Sequence, residues 1–295
     1  MGTLLYSYGT GTCFEELNLS HSEDILNIHR AYIEAGADVI QTNTYAANAY
    51  KLQRYGLEDQ VKEINRAAVK IAREAAGHDI FVLGTIGGNR GIRPQTVPLE
   101  DIITSVREQL FVLLEEDVDG ILFETYYDLE ELETVLKIAR KETDLPIITH
   151  VTLQEIGILQ DRTPLNEAFE RLESLGADVV GLNCRLGPHH MLKSLEQVNI
   201  PKKAYLSAYP NAGFPLFKDG KIQFEKNAEY FRDTAQAFRK QGVRLIGGCC
   251  GTTPAHIKAL ADELKGAPVV VQKEVKVVVK EPVVVKPKKP VRTEP

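Results

Sequence analysis

Short runs of β-branched and other apolar residues alternate with longer amphipathic stretches along most of this chain, and that alternation limits the folds open to it. The runs are Ala37–Thr42, Ile80–Thr85, Val118–Glu124, Pro146–Thr152, Ala177–Asn183, Ala204–Ala208 and Val243–Gly248. They are nearly uninterrupted, as expected of parallel strands covered on both faces. Helical patterns fall between them, at about 22–35, 58–76, 100–116, 129–141, 164–175, 187–197, 225–241 and 254–265. Ser22 stands before the acidic pair Glu23-Asp24, and Thr163 precedes Pro164, both of which read as helix starts. Gly36, Gly176 and Gly242 read as helix stops. The segments Glu34–Ile40 and Ser174–Val180 are near copies, a repeated helix-to-strand junction of the kind a (β/α)8 barrel contains. The chain has 295 residues, of which 43% are hydrophobic, enough for one such barrel.

The count is uneven, with eight helices for seven strands. Residues 1–21 read as a loop, with three glycines among the first eleven positions. The expectation is therefore an α/β barrel of TIM type that lacks its first strand, its start lying upstream of Met1 or its wall left with an open seam. Residues 1–266 form the barrel in this reading. Composition then changes: residues 267–295 have no aromatic residue and carry seven Lys+Arg against three Glu. Four prolines in the last fourteen positions favour a semi-extended linker over an edge strand, and a linker implies a further covalent domain.

A formal charge of −6 gives no support for nucleic-acid binding. No stretch approaches the roughly 20 apolar residues of a membrane span, and no signal peptide opens the chain, so the expected location is cytoplasmic. Four cysteines are too few for a disulfide scaffold in a chain this long. Three of them close apolar runs: Cys184 in Gly181-Leu182-Asn183-Cys184, and the pair in Gly247-Gly248-Cys249-Cys250-Gly251. In a barrel both runs open on the C-terminal rim, where active sites assemble. Three soft sulfur ligands without an evident fourth suit a catalytic Zn²⁺ with one open position. Cys13, in the N-terminal segment, reads as a bystander.

Other residues share that rim. Glu124 ends its strand and is placed to grip a substrate ammonium group, or to cap a helix. Asn43 and Thr44 sit at a strand exit, where they bind substrate or satisfy loop backbone groups. Asn211 follows the sixth of the seven runs, between the two cysteine-bearing ones, where it is placed to reach the metal or the substrate. His150, without a visible carboxylate partner, reads as structural. Gly84-Thr85-Ile86-Gly87-Gly88 reads as a turn at the barrel mouth, since it matches no phosphate-loop spacing.

With Gly-x-Asn-Cys at 181–184 and Gly-Gly-Cys-Cys-Gly at 247–251, the chain resembles the zinc-dependent homocysteine S-methyltransferase family over residues 1 to about 265. Met1-Gly2-Thr3 looks like the end of that family's Asp-Gly-x-Met-Gly-Thr element. The stretch Ala35–Tyr45 and Glu124-Thr125 are also family-like. The likeness is greatest to bacterial proteins joining this domain to a methylenetetrahydrofolate reductase domain, and the N-terminal barrel of cobalamin-dependent methionine synthase is a near relative. The resemblance implies methyl transfer to the thiol of L-homocysteine, giving L-methionine, with Zn²⁺ on Cys184, Cys249 and Cys250. It implies that Glu124, Asn43, Thr44, Asn183, Asn211, Gly2 and Thr3 bind the substrate, with the zinc-activated thiolate as nucleophile and no separate protein base. The donor is of methylfolate, methylcobalamin or S-methylmethionine type. Two other readings are a non-enzymatic barrel stapled by zinc, and a redox barrel using Cys249-Cys250.

Overall fold

The computed structural model describes residues 1–8, 13–91, 98–213, 216–218, 221–224 and 227–276. Its elements, numbered in chain order, begin with helices α1 (Gly2–Tyr8), α2 (Leu17–Ser20) and α3 (Ser22–Glu34), then strand β1 (Val39–Gln41). After α4 (Ala49–Leu52) and two 3-10 turns come α5 (Val61–Ala76), β2 (Phe81–Gly87), α6 (Leu99–Glu115), β3 (Gly120–Tyr126), α7 (Leu129–Glu142) and β4 (Ile147–Val151). Next follow α8 (Leu165–Ser174), β5 (Val179–Asn183), α9 (Pro188–Leu195), β6 (Tyr205–Tyr209) and the hairpin β7 (Leu216–Lys218) and β8 (Lys221–Gln223). The chain closes with α10 (Ala228–Lys240), β9 (Val243–Ile246) and α11 (Pro254–Leu264).

Seven parallel strands hydrogen-bond in the order β1-β2-β3-β4-β5-β6-β9, each step crossing over through at least one helix. This is the expected α/β barrel of TIM type, one strand short of closure among the described residues. Strand periodicity divides the core into two layers. Ile86, Ile121, Phe123, Ile147, Val180, Leu182 and Leu206 point outward and pack with the apolar stripes of the helices. Val39, Leu83, Leu122, Ile148, Val179, Tyr209 and Leu245 point inward and fill the barrel with Cys249. In α5 the buried positions Val61, Ile64, Ala68, Val69, Ile71, Ala72 and Ala76 keep helical spacing, so this face docks on the sheet.

The repeated junction is real in backbone terms. Gly36 and Gly176 both have φ +97°, and Gly242 has φ +85°, so all three helix ends use the left-handed region as the glycines suggested. The start signals lie one residue away from where they were expected. The N-cap positions are His21 and Pro164, and neither makes a side-chain cap bond. Side-chain caps come instead from Asn48, accepting from Lys51 N–H, Asp128, accepting from Glu131 N–H, and Asn227, accepting from Tyr230 N–H.

Three expectations change. Residues 1–21 are no simple loop: α1 and α2 lie there, because Leu5 and Leu17 are fully buried with Ile25, Ile28 and Ile71. The glycine-rich stretch at 84–88 is mostly strand β2, not a turn. A Cβ at Gly87 would strike the Tyr45 ring, so the glycine admits that ring against the strand. β3 likewise runs on to Tyr126, which puts Glu124 within the strand rather than at its end. Of the tail, residues 267–276 lack helix or strand, and Lys276 pairs with Glu196 at 3.0 Å. Residues 277–295, the valine runs included, lie outside the described residues, as do 225–226 of the helix expected at 225–241. No helix among the described residues is long and apolar enough to cross a membrane.

Gly87→Ala should cost about 1–3 kcal/mol, the range for overpacking a filled core. Gly84→Ala, whose nearest neighbours are side-chain atoms of Leu113 at 3.3 Å, should cost less. Urea midpoints of the two variants check this ranking, and equal midpoints would contradict it.

Candidate metal centre and substrate cavity

Cys184 is the residue after β5, and Cys249 and Cys250 follow β9 by three and four positions. Neighbouring backbone holds both turns in place. Cys184 N–H donates to Tyr209 O at 3.1 Å, and Cys249 N–H donates to Pro210 O at 2.8 Å. Cys250 N–H donates to the side-chain oxygen of Asn211 at 3.1 Å. The β6 exit thus tethers both cysteine turns. Cys184 and Arg185 have φ of +62° and +59°, which residues with a Cβ rarely adopt. Such strain at a site persists because surrounding bonds over-determine the backbone.

The three Sγ atoms lie within 4.8 Å of one another, and Cys184 Sγ and Cys250 Sγ are 3.6 Å apart. All are free thiols. Asn183 donates from Nδ2 to Cys249 Sγ at 3.7 Å and to Thr125 Oγ1 at 2.6 Å. It therefore orients one sulfur and holds Thr125, itself at φ +61°. Hydrogen bonds from Cys184 and then Cys249 pull the Cys250 thiol down to about 3 against its burial. Hydrogen bonds with Cys184 and then Cys250 push Cys249 up, and burial adds to the rise. Crowding and burial thus oppose full ionisation of the trio, and a cation among the sulfurs would favour it. The cluster is chemically able to bind a metal ion.

Glu124 faces into the barrel and lines a cavity of about 1250 Å³ that also reaches Cys184, Cys249 and Cys250. Burial pushes its carboxyl up to about 7, opposed by a hydrogen bond from Gln41. Gly2, Thr3, Asn43, Tyr45 and Tyr209 line the same cavity. Thr3 Oγ1 accepts from Gly251 N–H at 3.1 Å, tying the N-terminus to the cysteine turn. Asn43 donates from Nδ2 to Phe14 O at 2.7 Å and to Asn18 Oδ1 at 3.1 Å. Thr44 is fully buried and donates to Thr85 O at 2.7 Å, so its hydroxyl is committed to the wall. Asn183 and Asn211 sit behind the sulfurs, 1% and 4% exposed.

His150 lies in the interior below the site, its Nε2 2.6 Å from Ser207 Oγ and its ring against Tyr209. Burial drives its pKa down to about 3, which keeps it neutral. Cys13 is buried among Ala47, Leu52, Val61 and Ile64, away from the trio. Sequence reasoning missed Gln41, Tyr45 and Tyr209. Gln41 was readable, like Glu124, as a long polar side chain near the end of an apolar run. Nothing in the sequence announced that Tyr45 would fold back over Gly87.

A family profile described as homocysteine S-methyltransferase matches residues 1–264. The chain belongs to that family. The methionine synthase of Mycobacterium leprae is 30% identical over 268 residues, covering 86% of this chain and 22% of that protein. This chain therefore spans about a fifth of the length of that relative. The S-methylmethionine–homocysteine S-methyltransferase BHMT2 of Pongo abelii is 32% identical over 268 residues, covering 84% of this chain and 71% of that protein. Among solved structures, the metallated form of the homocysteine methyltransferase MmuM from Escherichia coli superposes with TM-score 0.75 at 24% identity. That likeness covers 89% of this chain and 93% of the other, and supports the fold.

The Glu124 shift carries a stability consequence with a definite sign. Between its ordinary 4.5 and about 7, the folded state keeps a proton that the unfolded state has released. The stability from neutral Glu124 is complete below pH 4.5 and is lost as pH rises through 7. In ligand-free protein, Glu124→Gln should match the parent near pH 4.5 and melt at a higher temperature at pH 8. A melting difference that stays constant with pH would contradict the shift.

Proposed function

We propose that this chain moves a methyl group onto the thiol of L-homocysteine, giving L-methionine, with Zn²⁺ held by Cys184, Cys249 and Cys250. One observation carries the reading: three thiols from two strand ends converge within 4.8 Å on the cavity that Glu124 lines. Tetrahedral zinc with sulfur at about 2.3 Å separates its ligands by roughly 3.8 Å, a spacing the trio fits. Among the described residues no fourth His, Cys, Asp or Glu joins the group, which leaves a position for substrate and speaks against a closed structural staple. When bound, zinc supplies the positive charge that keeps a coordinated thiol ionised at neutral pH.

The protein's own groups do the rest. Glu124 receives the homocysteine ammonium, and this pairing keeps the buried carboxyl ionised despite its raised pKa. Asn183 fixes Cys249, and Asn211 fixes the Cys250 turn, so the sulfurs stay in place as charge changes. Asn43, Gly2 and Thr3 shape the amino-acid end of the cavity, and Thr44 stiffens the wall behind it through Thr85. The substrate sulfur attacks the methyl carbon, the bond from that carbon to the donor breaks, and its electron pair leaves with the donor. The thiol proton goes to solvent. The donor is of methylfolate, methylcobalamin or S-methylmethionine type, and the relatives' names support homocysteine as acceptor. Residues 1–266 form the homocysteine-binding barrel, and 267–295 a tail.

Cys249→Ala should lose most bound zinc and all methyl transfer, whereas Cys13→Ala should keep both. Metal content by plasma emission and methionine formation check this, and a Cys249→Ala protein retaining zinc and activity would overturn the assignment. Glu124→Gln should retain zinc but weaken homocysteine binding by about 1.5–3 kcal/mol, the scale of a hydrogen bond to a charged group. Titration calorimetry reads this directly, and unchanged affinity would return Glu124 to a structural role.

A further inference from the structure

We propose that the Tyr45 phenol binds the α-carboxylate of the amino-acid substrate, and that Lys51 is the positioning residue that holds Tyr45 there. The inference rests on the reading that homocysteine sets its ammonium on Glu124, and it assigns the other charged end.

In an α-amino acid the ammonium and the carboxylate share one carbon, so a substrate on Glu124 places its carboxylate close by. That carboxylate needs hydrogen-bond donors, and the amides around it are already spent. Asn43 donates to Phe14 O and Asn18 Oδ1, and Asn183 donates to Thr125 Oγ1 and Cys249 Sγ. Two phenols remain near Glu124. Burial pushes both Tyr45 and Tyr209 up, and the Glu124 charge adds to the rise, so each keeps the proton a donor needs. Tyr209 is wedged against the His150 ring at 4.6 Å and is 7% exposed. Tyr45 is enclosed by protein yet lines the cavity, with 37% of its surface open. Among the described residues its phenol oxygen has no hydrogen-bond partner.

Lys51 grips this tyrosine by ring and backbone together. Its Nζ stands 4.2 Å from the Tyr45 ring centroid, a cation–π contact. The same ammonium donates to Tyr45 O at 3.3 Å and to Gly87 O at 3.1 Å. Gly87 N–H donates to the Tyr45 carbonyl at 3.0 Å, and the missing side chain of Gly87 leaves room for the ring. A phenol also suits the charge pattern. It offers the carboxylate a hydrogen bond without a positive charge that would compete with the substrate ammonium for Glu124. Lys51 stays behind the ring, where its charge orients the donor and its N–H groups are taken by backbone carbonyls.

The test is titration calorimetry on zinc-loaded protein with two ligands, L-homocysteine and its decarboxylated analogue, an aminopropanethiol with the same thiol and ammonium. Tyr45→Phe should weaken L-homocysteine roughly 10- to 100-fold, the scale of a hydrogen bond to a charged group, and shift the analogue less than about 2-fold. Unchanged zinc content and analogue affinity show that the variant is folded. Lys51→Met keeps the tyrosine and should weaken L-homocysteine about 3- to 10-fold with the same selectivity, and Lys51→Arg should restore it. A Tyr45→Phe protein that loses nothing, or loses both ligands equally, would overturn the inference while the proposed function stands. A Lys51→Met protein that binds like the parent would remove Lys51 from it. A parent protein that binds neither thiol would overturn the proposed function, and this inference with it.

Discussion

Three thiols enclosed at one point resist full ionisation without a cation, and the rest of the structure is arranged around that constraint. Cys184 and the Cys249-Cys250 pair come from strands separated by β6, so only the curvature of the parallel sheet brings them together. The β6 exit acts as the clamp: Tyr209 O, Pro210 O and the Asn211 side chain each receive an N–H from a cysteine turn. Loss of that clamp would let the turns relax, since Cys184 sits at a backbone conformation it would not adopt alone. The site is thus maintained by the barrel, and the thiols themselves supply little folding energy.

Charge places the second half of the site. Glu124 is a buried carboxyl in the same cavity, so desolvation above all, with the neighbouring Cys184 adding to it, opposes its ionisation. A ligand carrying an ammonium group removes that penalty, and a metal removes the one at the sulfurs. Under the proposed function, one amino-acid thiol together with a metal would relieve both penalties. Binding and activation of the substrate are then parts of one electrostatic adjustment, which favours a small zwitterion with a thiol over a larger anionic ligand.

Much of the fold and the sulfur site was legible in the sequence because both depend on local pattern. Buried parallel strands read as apolar runs, helix stops as glycines, and a thiol after a strand as a rim residue. The shortfalls have physical causes. β2 and β3 extend two residues beyond the expected ends because Gly87 pairs with Glu124 and Tyr126 with Val151, contacts no local signal marks. α1 hid behind glycines because its helix is stabilised by burying Leu5 against α3 and α5, a tertiary effect. Asn43 and Thr44 were placed correctly at a strand exit, but their bonds to Phe14 and Thr85 depend on distant backbone. Tyr45 and Tyr209 enter the cavity through packing alone.

The most direct test of the central claim is X-ray absorption at the zinc edge of the loaded protein, recorded before and after adding L-homocysteine. The account predicts three sulfur neighbours at about 2.3 Å and one lighter atom beforehand, then four sulfurs once homocysteine is present. A coordination shell that already holds four protein ligands and does not change on adding homocysteine would contradict it.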